Sequence, residues 1–595
     1  MQLFMLTLWS VATLLTAGAS AILFPRQADA GSPFDWSSIT PSPDLQYQDC
    51  YGGYKCARLE VPLDWSQPNS TARAAIAILT IPVSVPENDP SFGGTLLFNP
   101  GGPGNSAIEF SLALGEQIRA VVDGEKHFEI LAFDPRGVGM STPSADCYHN
   151  TFNRVADTLQ NMDAAMPPVA ASDLGLQLRY SAAEALSKLC AQTAPGPDSI
   201  FAHMSTASVA RDMLEIVERV DELRQTTQKR ANSDKADRTD PLLQFYGISY
   251  GTMLGNTFAS MFPDRIGRMV LDGIVDADDY LSGKVLTTIA DAEKTIDQFY
   301  KTCYDAGDSC PLRQKGDKGP SDLRKRVDAL LRSLEEEPVA TVQDGRYRLV
   351  TSFQLRDTIR LCLYDPLSQY EYLAATLASS VAGDYSLLLQ GPTVNPFLKE
   401  QACMAPDSGD PPAAYSWAYE AAVGVFCGDS YASAGKRNVS WAREAVRQQA
   451  KVSFTTGEVW SRLMLSCAGW EFDPKYAFHG PFGSPAPPRS KSDGTIGQAP
   501  LLILSNRYDH ATPLRNAYAL SKQHGGSSVV VQEAVGHTTL LSAQSACMAR
   551  LIQDYYATGK VPRNGTTCKP DYAAQIPSKP CGEGVAATIF GTTTE

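Results

Sequence analysis

The segment LLQFYGISYGTMLGN (242–256) holds a serine between two glycines, Gly247-Ile248-Ser249-Tyr250-Gly251, behind an apolar run and ahead of a helix-like pattern. Where a strand turns sharply into a helix, the residue at the apex takes a strained backbone and projects from the sheet. Flanking glycines let neighbouring chain approach, and the helix N-terminus behind the apex favours developing negative charge. Ser249 is therefore a candidate nucleophile for acyl transfer. A glycine-rich turn with an idle serine is the plain alternative, and the strand-before, helix-after context argues against it.

A serine hydroxyl is a poor nucleophile until a base takes its proton. Seven histidines are available: His127, His149, His203, His479, His510, His524 and His537. Most histidines are satisfied surface or core residues, but His537 directly follows a strand-like run in VVVQEAVGHTTL, where a loop can return to the sheet edge. In LLILSNRYDHATPL, Asp509 stands just beyond the preceding strand and is the candidate for orienting it. The resulting chain order, Ser249, Asp509, His537, is the one expected of a nucleophile elbow. His510 is the rival base; its adjacency to Asp509 points its ring elsewhere.

The tetrahedral intermediate needs donors for its oxyanion, each well-placed one worth roughly 2.7–4 kcal/mol. LLFNPGGPGNSA supplies Gly101-Gly102-Pro103-Gly104 straight after another strand-like run. Glycine lets main-chain N–H groups face a ligand, so the N–H groups of Gly102 and Tyr250 are the candidate oxyanion donors. A third glycine-rich turn, FDPRGVGMSTP, lacks the phosphate-loop pattern. Its Asp134 and Arg136 are expected to brace the loop.

Elements that could position these groups alternate along the chain. Strand-like runs start at Ala74, Gly94, Phe128, Leu242, Arg268, Ala499 and Ser527, several of them apolar throughout, as strands buried on both faces require. STASVARDMLEIVERV spaces its apolar residues helically behind a Ser/Thr cap. This alternation predicts an α/β fold with a mostly parallel central sheet flanked by helices. RQTTQKRANSDKADRTD (224–240) lacks periodicity and reads as an exposed loop. Residues 280–498 are too long for an unstructured loop and read as a large, mainly helical cap inserted before the acid-bearing strand.

The whole has 595 residues, a formal charge of −14 and 43% hydrophobic residues, with no basic stripe that would suit nucleic acid. MQLFMLTLWSVATLLTAGASA reads as a secretory signal over 1–21, cleaved after Ala21. No later run is apolar enough to span a membrane. The 13 cysteines agree with an oxidising compartment, and an odd count leaves at least one thiol unpaired. Short spacings suggest Cys50 with Cys56, Cys303 with Cys310, and Cys568 with Cys581. No cluster has zinc-like spacing, so neither metal nor cofactor is expected. Asn69, Asn438 and Asn564 head glycosylation sequons.

Together CARLEVPLDWSQP, NPGGPG, FDPRGVGMS, YGISYG, VLDGIVD, RYDHATPL and VGHTT resemble the α/β-hydrolase superfamily. Within it they are similar to the secreted tripeptidyl-aminopeptidase and proline-iminopeptidase-like serine peptidases. The resemblance implies an α/β-hydrolase core over 50–279 and 499–570, around the 280–498 cap, with an N-terminal segment at 22–49 and a tail at 571–595. It also implies Cys427–Cys467 and Cys547–Cys568 bridges. Peptide substrates, cut near a chain end, follow from the resemblance; small esters or amides are the alternative on the same triad. A non-catalytic binding protein is a third reading. The cap carboxylates with which such exopeptidases hold a free amine are not identifiable here.

Overall fold

The computed structural model describes residues 34–148, 150–160, 167–229, 240–343, 345–390, 415–431, 437–488 and 497–571. The expected signal, His149, Cys403, Cys581 and nearly all of the tail lie outside these residues. All seven apolar runs form strands. They are β3 (Arg73–Ile81), β4 (Phe92–Asn99), β5 (His127–Phe133), β6 (Leu243–Ile248), β7 (Ile266–Asp272), β10 (Leu502–Tyr508) and β11 (Ser528–Val535). Every residue of β6 and β7 is buried, which explains why those runs carry no polar alternation.

With β1 (Gln48–Cys50), β2 (Tyr54–Pro62) and β12 (Thr566–Cys568) they make one ten-stranded sheet, in the order β1-β2-β3-β5-β4-β6-β7-β10-β11-β12. Pairing is antiparallel from β1 to β5 and parallel from β5 to β12. The chain direction across the sheet reverses at β4, with β5 on one side and β6 on the other. Loops leaving the carboxyl ends of strands at such a switch point form a crevice. Here those loops are the Gly101–Gly104 turn after β4 and Ser249 after β6. This is the α/β-hydrolase fold expected from the sequence.

Between β7 and β10 the chain folds into helices and a hairpin of β8 (Val339–Gln343) with β9 (Arg346–Val350). Part of this insert has its own core, running from Ile296 to Leu389. The helix Ala418–Asp429 instead joins the main core through Val423, Phe426 and Cys427. Chain ahead of β6 also contributes: Val169, in a turn, and Leu176, on the helix Asp173–Thr193, pack against Ala442, Val446 and Met464.

Two expectations need correction. The stretch 224–240 is not a loop throughout, because the helix Thr206–Lys229 runs through its first part. Arg224 holds it there, pairing with Glu129 at 3.0 Å and lying over the Phe92 ring. These contacts come from distant chain and leave no periodic trace. Residues 230–239 lie outside the described set. The second correction is that Cys568 pairs with Cys547, as the resemblance implies, and not with Cys581, as the short spacing suggests.

The Cys50–Cys56, Cys303–Cys310 and Cys427–Cys467 bridges are present as expected. The Cys147–Cys190 bridge was not foreseen and closes a 43-residue separation. A loop of that length stabilises by about 4 kcal/mol in the chain-entropy picture. Cys362 is free and buried, and burial pushes its thiol pKa up. Arg136 is fully buried; its Nη2 and Nε donate to the Asp212 carboxylate at 2.6 and 2.7 Å, Nη2 also to the Pro62 carbonyl, and Nη1 to the Leu63 and His203 carbonyls. Asp134 accepts from Ser106 Oγ, Ile108 N–H and Met140 N–H. Both residues brace the loop.

Candidate active site

Ser249 sits between β6 and the helix Tyr250–Met261 at φ 56°, ψ −125°. A non-glycine residue in such a region costs on the order of 1–3 kcal/mol and persists only where its surroundings hold it. The Ser249 N–H donates to the Asp272 carbonyl at 3.0 Å, and its own carbonyl accepts from the Thr252 hydroxyl at 2.6 Å. A Cβ on Gly247 would collide with the Gly251 carbonyl, and one on Gly251 would fall 2.6 Å from the Asn99 carbonyl oxygen. The first glycine lets the turn close on itself; the second lets it lie against β4.

The turn after β4 presses on this apex. A Cβ on Gly101 would lie 2.8 Å from Tyr250 N and 3.0 Å from Ser249 Cβ. Gly101, Gly102 and Gly104 all have positive φ, at 89°, 113° and 90°. The Gly101 N–H is taken by Asn99 Oδ1 at 3.0 Å. Gly102, next along, is exposed.

Asp509 and His537 are brought together. His537 Nδ1 lies 3.0 Å from Asp509 Oδ2 and 3.1 Å from Oδ1. Asp509 also accepts from the Ala511, Thr512 and Thr538 N–H groups and from the Thr512 hydroxyl. Burial alone would raise its pKa. The His537 charge and hydrogen bond, His510 and the Thr512 N–H outweigh that and hold the carboxyl well below its usual range. With Nδ1 turned to the acid, Nε2 is the nitrogen left for a substrate proton.

The two halves of the site meet at Gly273, just past β7. Its carbonyl accepts from Thr252 Oγ1 at 3.3 Å, and a Cβ there would lie 3.6 Å from His537 Cε1. Among the described residues Ser249 Oγ makes no hydrogen bond. Nucleophile–base contacts are often long without substrate and tighten only in the reacting complex.

The rival base is placed differently. His510 is fully buried, neither ring nitrogen has a hydrogen-bond partner among the described residues, and burial pushes its pKa down to about 3. Other histidines have ties of their own: His127 to Asp123, His203 to the Pro197 carbonyl, His524 to Ser484 and Asn256.

Three residues that hold the His537 loop escaped the sequence reading. Asn506 Nδ2 donates to the carbonyls on either side of the histidine, Gly536 and Thr538, both at 2.8 Å. The Asp272 carboxylate receives the Thr539 and Leu540 N–H groups, anchoring the short helix Thr539–Ser542 that follows. Tyr364, from the insert, accepts the His537 N–H on its carbonyl at 3.2 Å and sets its ring edge-on to the imidazole at 5.0 Å. VLDGIVD and NRYDHATP carried the first two within motifs. Nothing in the sequence marks Tyr364.

Beneath the apex, Asp429 accepts from the Thr206 N–H and hydroxyl and from Tyr280, and Thr206 Oγ1 also meets the Tyr250 hydroxyl. Burial raises the Asp429 pKa to about 6. Among the described residues no group of three or more His, Cys, Asp or Glu could hold a metal ion, and no helix is long and apolar enough to cross a membrane. Asn69, Asn438 and Asn564 are all exposed. The Asn438 side-chain Oδ1 also caps the helix Val439–Val452, accepting from the Trp441 N–H.

Residues 452–568 match the family model described as TAP-like protein. The chain is 26% identical over 548 residues to serine protease Hip1 of Mycobacterium tuberculosis, covering 90% of this chain and 91% of that one. It is 24% identical over 562 residues to a tripeptidyl aminopeptidase of Streptomyces lividans, covering 93% and 89%. A carboxylesterase B of Mycobacterium tuberculosis is 26% identical over 520 residues, covering 87% and 86%.

Proposed function

Taking the chain as a serine hydrolase of α/β-hydrolase fold with a TAP-like match at its C-terminal end, we propose that it is a secreted exopeptidase releasing N-terminal residues or short peptides. The observation that carries the chemistry is the strained Ser249 at the switch point, across Gly273 from an imidazole whose Nδ1 is committed to a buried carboxylate. Ser249 Oγ attacks the scissile carbonyl carbon and its proton passes to His537 Nε2. The N–H groups of Gly102 and Tyr250 receive the oxyanion. Collapse breaks the C–N bond, and the leaving amine takes the proton from His537. Water then attacks the acyl-enzyme, giving a proton to His537, which returns it to Ser249. Asp509 stays ionised and fixes the imidazole throughout.

Peptide substrates are supported by the Hip1 and tripeptidyl aminopeptidase relatives. The carboxylesterase B relative favours a second reading, hydrolysis of small esters on the same triad. Five disulfides, three exposed sequons and the leader-like start support secretion.

Parallel assays on tripeptidyl or aminoacyl p-nitroanilides and on short-chain p-nitrophenyl esters test the choice. The exopeptidase reading expects anilide cleavage from the free amino end, abolished in Ser249→Ala with the fold retained. Ester turnover with no anilide or peptide cleavage would favour the esterase. Most activity surviving in Ser249→Ala, or no Ser249 labelling by a fluorophosphonate, would remove the nucleophile assignment.

A further inference from the structure

Both loops that complete the catalytic centre are gripped by a tyrosine of the insert. On one side the Tyr415 hydroxyl donates to the Gly104 carbonyl at 2.6 Å, two residues from Gly102. Tyr415 is buried, with its ring edge-on to Trp417 at 5.0 Å. Gly104 itself lies under the start of the helix Ala418–Asp429: a Cβ there would fall 2.7 Å from the Ala418 carbonyl oxygen and 2.8 Å from Ala422 N. On the other side Tyr364 takes the His537 main-chain N–H on its carbonyl and sets its ring edge-on to both the His537 and His510 rings, at 5.0 and 4.6 Å. Its hydroxyl adds only a long contact of 3.4 Å from Arg360. Pro366 follows it and packs on Gly536, beside the histidine.

We propose that Tyr415 and Tyr364 are positioning residues through which the insert sets the oxyanion turn and the catalytic imidazole, so that the insert is part of the catalytic centre as well as its cover. The proposal rests on the triad reading above. Tyr415 acts through its hydroxyl, because that oxygen makes the hydrogen bond to Gly104. Tyr364 acts through its ring and backbone, because its hydroxyl touches neither loop. A misplacement of about 1 Å in such groups costs up to about a hundredfold in rate.

The two phenylalanine variants therefore behave oppositely. Tyr415→Phe is expected to lower kcat by about ten- to a hundredfold with KM nearly kept, and to slow fluorophosphonate labelling of Ser249 in parallel. Tyr364→Ala is expected to lose a similar factor, and Tyr364→Phe to restore most of it. Tyr180→Phe is the control for general loosening, since the Tyr180 hydroxyl, on chain ahead of β6, donates to the Arg437 carbonyl of the insert at 2.9 Å, away from both tyrosines; it is expected to keep kcat. Each variant is compared at equal folded concentration, judged by near-UV circular dichroism. Tyr415→Phe with wild-type kcat and labelling rate, Tyr364→Phe as damaged as Tyr364→Ala, or Tyr180→Phe as slow as Tyr415→Phe would overturn the proposal. A wild-type protein whose Ser249 is not labelled at all would instead sink the triad reading, and the proposal with it.

Discussion

His510 makes the pH dependence of folding calculable at one side chain. It is buried with neither ring nitrogen bonded, and burial lowers its pKa from 6.5 to about 3. In the folded protein it is therefore neutral throughout the range where the unfolded chain takes up a proton. Between the two pKa values the unfolded state binds more protons, so stability rises with pH there. The contribution is fully present above about pH 6.5 and is lost progressively as pH falls towards 3. Each pKa unit is worth about 1.4 kcal/mol, so lowering pH from 8 to 5 removes about 2 kcal/mol through this residue. His510→Phe keeps a ring against Tyr364 and removes the proton site. Urea unfolding of both proteins, disulfides intact, at pH 8 and pH 5 gives the stability difference at each. Asp134 and Asp429, both raised to about 6 by burial, and His524, lowered to about 4, titrate in both proteins and cancel. The variant should gain about 2 kcal/mol on the wild type between pH 8 and pH 5, whatever the substitution costs at pH 8. A difference that stays constant, or moves the other way, would show that His510 is not held neutral by burial.

Two further perturbations follow from packing. Gly251→Ala sets a Cβ against the Asn99 main-chain carbonyl and should cost about 1–3 kcal/mol in denaturant unfolding while slowing fluorophosphonate labelling of Ser249. Arg136→Leu leaves Asp212 buried with the Trp65 N–H but without its hydrogen-bonded ion-pair partner, and should cost about 3–5 kcal/mol; the double variant with Asp212→Leu should recover much of that loss.

The central strands were legible because each is a run buried on both faces, and β6 and β7 show this most plainly. Ser249, Asp509 and His537 were legible as candidates because each lies just past the carboxyl end of such a run, where short loops leave little freedom of placement. What stayed hidden depends on contacts between remote segments. Cys147 meets Cys190 only because the helix Asp173–Thr193 folds back between β5 and β6. The Arg224 turn of its helix is held by β4 and β5 residues. Tyr364 is one aromatic among many until the insert docks and its carbonyl meets His537. The glycines of the elbow were read correctly as a turn signal, but which backbone each one clears is a fact of three dimensions.

The parallel pairing of β7 with β10 joins Asp272 to Leu504 across the whole intervening insert. During synthesis, β7 must wait as an unpaired edge until the insert has left the ribosome, the kind of exposed border on which nascent chains stick to one another. On the proposed chemistry the delay also protects. The nucleophile and its oxyanion turn emerge first, whereas the acid and the base follow only after the insert, so a chain still being made carries a serine with nothing to activate it.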